Sequence, residues 1–241
     1  MKISVIVPAY NEEKLLGATL ASIEGARQAL IARGWDSEVV VCDNNSTDAT
    51  AHLARQAGAR VVFEPVNQIG RARNAGAAAA TGEWFVFVDA DSRPSSGLFG
   101  DVADAIATGR CLAGGSTLTL DGHYPVAKLI TEGWNVVSRI QKWAPGSFIF
   151  CSAEAFREVG GFSNALYASE EIDLFRRLKA LARRQRRRIV ILHRHPMITS
   201  ARKLHLYTPW EHLWFLGRTA LQFGRPLKNR EACLTWYDGR R

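Results

Sequence analysis

Three groups of acidic residues have the types and spacing to do chemistry. Asp43 ends the apolar run Val39-Val40-Val41-Cys42, and Asp89 and Asp91 follow Trp84-Phe85-Val86-Phe87-Val88, just before Pro94. Glu170, Glu171 and Asp173 form the third group. Carboxylates that end buried strands are costly unless solvated, paired or bound, so two such endings indicate a cleft. A carboxylate pair beside a loop suits Mg2+ or Mn2+, hard cations that commonly share a few protein carboxylates with substrate phosphates. The ion's work there is to neutralise a departing diphosphate as a Lewis acid. In the third group, one glutamate is accounted for by the positive end of a helix, with Ser169 as the cap. The other is then available as a general base.

The elements that must position these groups alternate. Ile3 to Val7, Glu38 to Cys42, Arg60 to Phe63 and Trp84 to Val88 read as short strands rich in β-branched and aromatic residues. Between them, Leu15, Leu16, Leu20, Ile23, Ala26 and Leu30 recur at helical spacing, with Asn11 as the expected cap and Gly34 as the stop. Two shorter helices, Ala49 to Ala57 and Arg71 to Ala80, complete strand–helix units of a parallel, Rossmann-like half. Fully apolar strands require a sheet covered on both faces, and ligands bind at the carboxyl ends of such strands. Further on, helices are expected from Gly97 to Thr108, from Lys128 to Ile140 with Trp134, Val137 and Ile140 on its apolar side, and from Glu170 to Arg186. Strands are expected at Cys111 to Leu120, Ser147 to Cys151 and Arg188 to Leu192.

Composition bounds the function. The 241 residues carry a net charge of +8 and are 47% hydrophobic, which describes a folded protein suited to an anionic ligand or surface. Arg183 to Arg188 invites a nucleic-acid reading, but a charge run at a helix end is ordinarily a solvated face, and no nucleic acid is expected. The four cysteines are scattered and read as reduced core thiols. Pro8-Ala9-Tyr10-Asn11 stands where a glycine-rich dinucleotide fingerprint would be, which disfavours a nicotinamide or flavin enzyme. No leader and no membrane span are read, so a cytoplasmic protein is expected. The aromatic and basic tail from Trp210 to Phe223 suits a membrane surface, its own domain or a twin subunit in a homodimer.

Ile3 to Glu13, Asp43-Asn44-Asn45-Ser46-Thr47-Asp48, Arg73-Asn74-Ala75-Gly76, Asp89-Ala90-Asp91 and Glu170-Glu171-Ile172-Asp173-Leu174 together resemble, in order and spacing, the motifs of family 2 glycosyltransferases. The resemblance covers about Lys2 to Arg187. It implies an α/β GT-A fold, a mostly parallel mixed sheet with helices on both faces. It also implies sugar transfer, with inversion, from a nucleotide-diphosphate donor to a hydroxyl acceptor, whether small molecule, glycan or lipid-linked. One domain would span residues 1–209, with a donor half to about 95 and an acceptor half beyond, followed by a helical tail over 210–241. Carried over residue by residue, Pro8, Ala9, Tyr10, Asn11, Glu12 and Asp43 hold the nucleotide, Arg71 lies near the base or diphosphate, and Asp89 and Ala90 lie near the ribose. Asp91 becomes the Mg2+ or Mn2+ ligand, with His193, His195 and His205 as candidates to complete the site and His193 foremost. Glu171 becomes the catalytic base, with Glu170 and Asp173 beside it. The chain departs from the family pattern by having glutamate at 171 where aspartate is usual. A nucleotidyltransferase, or a non-catalytic nucleotide-sugar-binding protein on the same fold, is the alternative.

Overall fold

The computed structural model describes residues 1–122, 124–200, 227, 229 and 233. In chain order these form β1 (Lys2–Ala9), α1 (Leu16–Ile31), β2 (Asp36–Asp43), α2 (Thr50–Gln56), β3 (Arg60–Phe63), α3 (Ile69–Ala79), β4 (Trp84–Val88) and β5 (Ser92–Arg93). There follow α4 (Ser96–Ala107), β6 (Cys111–Leu120), α5 (Pro125–Gln141), β7 (Phe148–Ser152), α6 (Ala153–Glu158), α7 (Glu170–Arg184) and β8 (Arg188–Thr199). One mixed sheet runs β3-β2-β1-β4-β7-β6-β8-β5. Its first four strands are parallel, whereas β7 runs antiparallel to both β4 and β6.

The period of two along each strand divides the core between the faces of this sheet. Trp84, Val86 and Val88 join Ile3, Val5 and Val7 in a layer with α1 and α4. Phe85 and Phe87 join Ile6 in the opposite layer, with Phe156, Phe162 and the α7 stripe of Phe175, Leu178 and Leu181. Phe87 meets Phe162 edge to face at 5.1 Å, a favoured geometry for ring quadrupoles. All five side chains of β4 are buried, so the chain turns polar only at its carboxyl end, where Asp89 and Asp91 emerge.

Several local expectations change. Asn11 does not cap α1, which starts at Leu16 after a cap residue that makes no side-chain bond. Asn11 instead adopts φ 51°, a conformation asparagine tolerates better than most residues. Ser169 precedes α7 with φ 61° and no side-chain cap. The apolar side of α5, which carries Val137 and Ile140, faces solvent. Residues 210–223 lie outside the described residues, as does His205. Among the described residues no helix is long and apolar enough to cross a membrane.

Close packing sets a checkable limit where β6 passes β8. A Cβ on Gly114 would lie 2.2 Å from the Val190 carbonyl oxygen, whereas one on Gly100, in α4, meets nothing within 4 Å. Gly114→Ala should therefore destabilise the protein by about 1–3 kcal/mol through overpacking. Gly100→Ala should stabilise it by about 0.4–1 kcal/mol by restricting the unfolded chain. Thermal melts of the two variants should move in opposite directions.

Candidate active site

The loops at the carboxyl ends of β1 and β2 are laced together by hydrogen bonds. The Asn44 N–H donates to the Ala9 carbonyl at 2.8 Å, the Asn11 N–H to Ser46 Oγ at 3.0 Å, and the Thr47 N–H to Asn11 Oδ1 at 2.8 Å. The Glu12 N–H donates to Thr50 Oγ1 at 2.8 Å, and the Glu13 N–H to Asp48 Oδ2 at 3.1 Å. Asp43 Oδ1 accepts from the Ser46 N–H at 3.0 Å, which folds the β2–α2 turn back on itself. Pro8 and Ala9 prove to be buried strand residues paired with Cys42 and Asp43. Glu12 is also buried. Of the expected nucleotide-holding loop, Tyr10 and Asn11 keep partly exposed surface. Ala90 is a core residue as well; its carbonyl accepts the Thr19 hydroxyl at 2.7 Å.

A buried guanidinium joins the two acidic groups that the sequence places 81 positions apart, Asp89 and Glu170. Arg73, on α3, is 1% exposed. Its Nη1 donates to Glu170 Oε1 at 2.6 Å, and its Nη2 donates both to Asp89 Oδ1 and to the Gly146 carbonyl at 2.9 Å. Its charge also lies 5.1 Å from the centre of the Phe162 ring, a cation–π distance. Burial works against that charge, but Asp89, then Glu170 and Glu171, outweigh it and hold Arg73 more firmly protonated than usual.

The α3 helix also clasps the loop that delivers α7. The amide of Asn74 brackets Phe162, accepting from its N–H and donating to its carbonyl, both at 2.9 Å. The Gln68 amide donates to the Asn164 and Leu166 carbonyls at 3.0 and 2.8 Å. Asn44 ties this assembly to β2, since its Oδ1 accepts from the Gln68 N–H at 2.9 Å. Arg71 is half-buried and donates to Gln68 Oε1 at 3.1 Å. At the far side of the loop, the Tyr167 N–H donates to the Leu227 carbonyl at 2.7 Å. Cys233 is buried, and its thiol is pushed up to about 11 by burial and by the charge of Glu170.

The two glutamates have unlike surroundings. Glu170 is buried, which raises its pKa, while the Arg73 charge opposes that rise. Glu171, half-buried and without so short an ion pair, is pushed up to about 8 by burial first and by Glu170 second. Both carboxyls of the pair are thus raised, and Glu171, at about 8, is able to take and give a proton near neutrality. Asp173 does not join them. It faces along its own helix to Arg177 at 2.8 Å and Arg176 at 3.4 Å, an ordinary one-turn ion pair.

Asp91 stands half-buried beyond β4, with its carbonyl accepting from the Ser200 N–H at 3.1 Å. His193 does not reach it. Leu192 pairs with Ser116 and Thr199 with Leu120, so four residues of β6, about 13 Å at the rise of a strand, separate the two places. Residues 193–196 form a bulge opposite Thr117 and turn His193 to a different cleft. His195 Nδ1 lies 3.0 Å from Asp101 Oδ2, packed against α4. Among the described residues no three His, Cys, Asp or Glu side chains gather to hold a metal. One half-buried carboxylate at a strand end, with its neighbour Asp89 engaged by Arg73, fits a hard cation that takes most of its ligands from phosphate and water.

Sequence reasoning named Arg71 and passed over Arg73 as a site residue, although Arg73-Asn74 stood among the motifs. Its role rests on contacts with residues 16, 73 and 97 positions away, which no local pattern reveals. Nothing in the sequence points to Cys233.

The profile described as Glycosyl transferase family 2 matches residues 4–156, well over half of the chain. An uncharacterised glycosyltransferase of Mycobacterium tuberculosis is 34% identical over 141 residues, 57% of this chain and 60% of that protein. A dolichol-phosphate mannosyltransferase of Pyrococcus furiosus is 32% identical over 152 residues, 58% of this chain and 41% of that protein. The chain thus spans about 60% of the length of the mycobacterial relative it matches. Among solved structures, S. aureus TarS in complex with UDP-GlcNAc superposes with a TM-score of 0.64 at 23% identity, over 83% of this chain and 58% of that one. The mannosyltransferase PcManGT from Pyrobaculum calidifontis, in complex with GDP-Man and Mn2+, gives 0.65 at 20% identity, over 98% and 67%. At those identities the structural likeness carries the fold, a GT-A fold, while the profile match carries the family: the chain belongs to glycosyl transferase family 2.

Proposed function

We propose that the protein transfers a sugar, with inversion, from a nucleoside-diphosphate donor to an acceptor hydroxyl, with Glu171 as general base and Asp91 as ligand to Mg2+ or Mn2+. The observation that carries this reading is the buried glutamate pair at the start of α7, anchored by Arg73. Arg73 is ion-paired with Glu170, and burial, with Glu170 beside it, lifts Glu171 to about 8. A carboxyl with a pKa near the working pH is what proton abstraction from an alcohol needs. Support for the donor comes from relatives, since TarS and PcManGT are described in complex with UDP-GlcNAc and with GDP-Man and Mn2+.

In this reading Tyr10, Asn11 and Asp43 border the donor nucleotide, and Arg71 lies where a base or diphosphate would pass. Asp89 works chiefly by holding Arg73. A bound divalent ion would supply charge neutralisation of the departing diphosphate. Glu171 accepts the acceptor's proton as its oxygen attacks the anomeric carbon, and the glycosyl–phosphate bond breaks with its electron pair going to the diphosphate. Residues 1–209 are taken as one catalytic domain, with the donor bound in the first 95 residues and the acceptor beyond, and 210–241 as its tail.

Donor binding and chemistry should separate by mutation. In a screen of UDP-, GDP- and dTDP-sugars, the donor that binds should do so more tightly with Mn2+. Asp91→Ala should remove that metal-dependent gain, weakening binding by roughly ten-fold or more. Failure of every donor to bind, or an Mn2+ effect that survives Asp91→Ala, would refute the donor-site assignment.

The pH dependence has a definite sign. Glu171 is mostly protonated at neutral pH, so transfer should rise with pH along a limb that is half-maximal at about 8 and levels off above it. Glu171→Gln should keep donor binding and lose about 100-fold to 10,000-fold in rate. Stability should run the other way. A carboxyl raised above its ordinary 4.5 favours the fold while protonated, so its contribution is complete below 4.5 and is lost as pH rises through about 8. The melting temperature of Glu171→Gln should therefore gain on the parent as pH increases over that range.

A further inference from the structure

Helix α5 is amphipathic the wrong way round for a helix of a globular core. Its polar side faces the protein. The Asn135 amide accepts from the Leu118 N–H at 2.8 Å and donates to the Leu118 carbonyl at 2.9 Å, and the buried Ser138 hydroxyl donates to the Trp143 carbonyl at 2.6 Å. Its apolar side faces out, with Val126, Leu129, Ile130, Val136, Val137 and Ile140 between 41% and 75% exposed. At 100° per residue these six fall within one stripe, roughly 21 Å long. Water-facing stripes of this kind mark a contact surface.

A second feature adjoins the stripe. Along one flank, Lys128 and Arg139 turn into a cleft of about 310 Å3 between α5, β6 and β8, where they meet His193, Thr131 and Asn135. Glu132 lines the same cleft, 3.9 Å from Lys128. The cleft therefore carries two permanent positive charges against one negative, in a chain of net charge +8.

We propose that α5 is a membrane-surface element: its apolar stripe lies in the interface of an anionic lipid bilayer, and the Lys128–Arg139 cleft takes a headgroup phosphate. Charge and area both favour lipid over a second copy of the chain. The stripe is symmetric about Gly133, so two copies would meet antiparallel with their Lys128–Arg139 flanks on the same side of the pair, which concentrates like charge there. The helix alone offers a strip on the order of 200 Å2, against the ~800 Å2 per partner of a stable interface. An anionic bilayer needs no matching partner area, and it rewards both the apolar face and the basic flank.

The test is sedimentation of the full chain with phosphatidylcholine vesicles, with and without phosphatidylglycerol, together with the triple variant Leu129→Ser, Ile130→Ser, Val137→Ser. The parent should bind the anionic vesicles in preference to the neutral ones and should release as salt is raised. The triple variant should lose at least about ten-fold in partitioning, since binding scales with buried apolar area. Lys128→Gln and Arg139→Gln should each lose about five-fold. The triple variant should melt at the parent's temperature in the absence of lipid, because the three side chains face solvent. Equal binding by the triple variant, or no preference for anionic vesicles, would overturn the proposal. A lowered melting temperature would seat the chain's own residues 201–226 on the stripe instead. A parent dimer that the triple variant splits would assign the stripe to a second copy.

Discussion

One buried cation holds the candidate site together. Arg73 gives up nearly all contact with water and is repaid by Asp89 at 2.9 Å, Glu170 at 2.6 Å and the Gly146 carbonyl. A buried ion pair is a weak source of net stability, but removing one partner costs about 3–5 kcal/mol because the other is left uncompensated. Its value here is positional. The planar guanidinium fork fixes the end of β4, the turn before β7 and the first residue of α7 relative to one another, and those are the places from which the acids emerge.

The same geometry sets protonation. The positive end of α7 favours negative charge on its first residues, and burial disfavours it. At Glu170 the Arg73 charge opposes the rise that burial causes, and Glu171, with no such short ion pair, rises to about 8. Rigid support comes from the loops around it. Gln68 and Asn74 clasp residues 162–166, and Asn44 links that clasp to the laced β1 and β2 loops. A transfer enzyme of glycosyl transferase family 2 would need donor and base held in register, and a continuous chain of hydrogen bonds runs between those two regions here.

Much of this was legible in the residues. Apolar runs such as Trp84 to Val88 announced buried strands, because a buried strand follows from burial and period alone. Long-range contacts were less visible. Asn11 looked like a helix cap but spans to Thr47, 36 positions away. Asp173 looked like part of the site, yet the basic residue one turn on, Arg177, claims it. His193 followed a strand as expected, but a bulge no pattern foretold turns it away from Asp91. For α5 the periodicity located an apolar stripe without saying which way it faces, since a helical period carries no direction until the partner surface is known.

The account turns on which glutamate holds the proton. Carboxyl carbon resonances of the glutamates, followed by NMR from pH 3 to 10, report that state directly. The account predicts one side chain titrating near 8, as the burial of Glu171 beside Glu170 requires, and its loss from the spectrum of Glu171→Gln. A titration in which every glutamate ionises in the ordinary range near 4.5, or in which the elevated resonance persists in that variant, would contradict it.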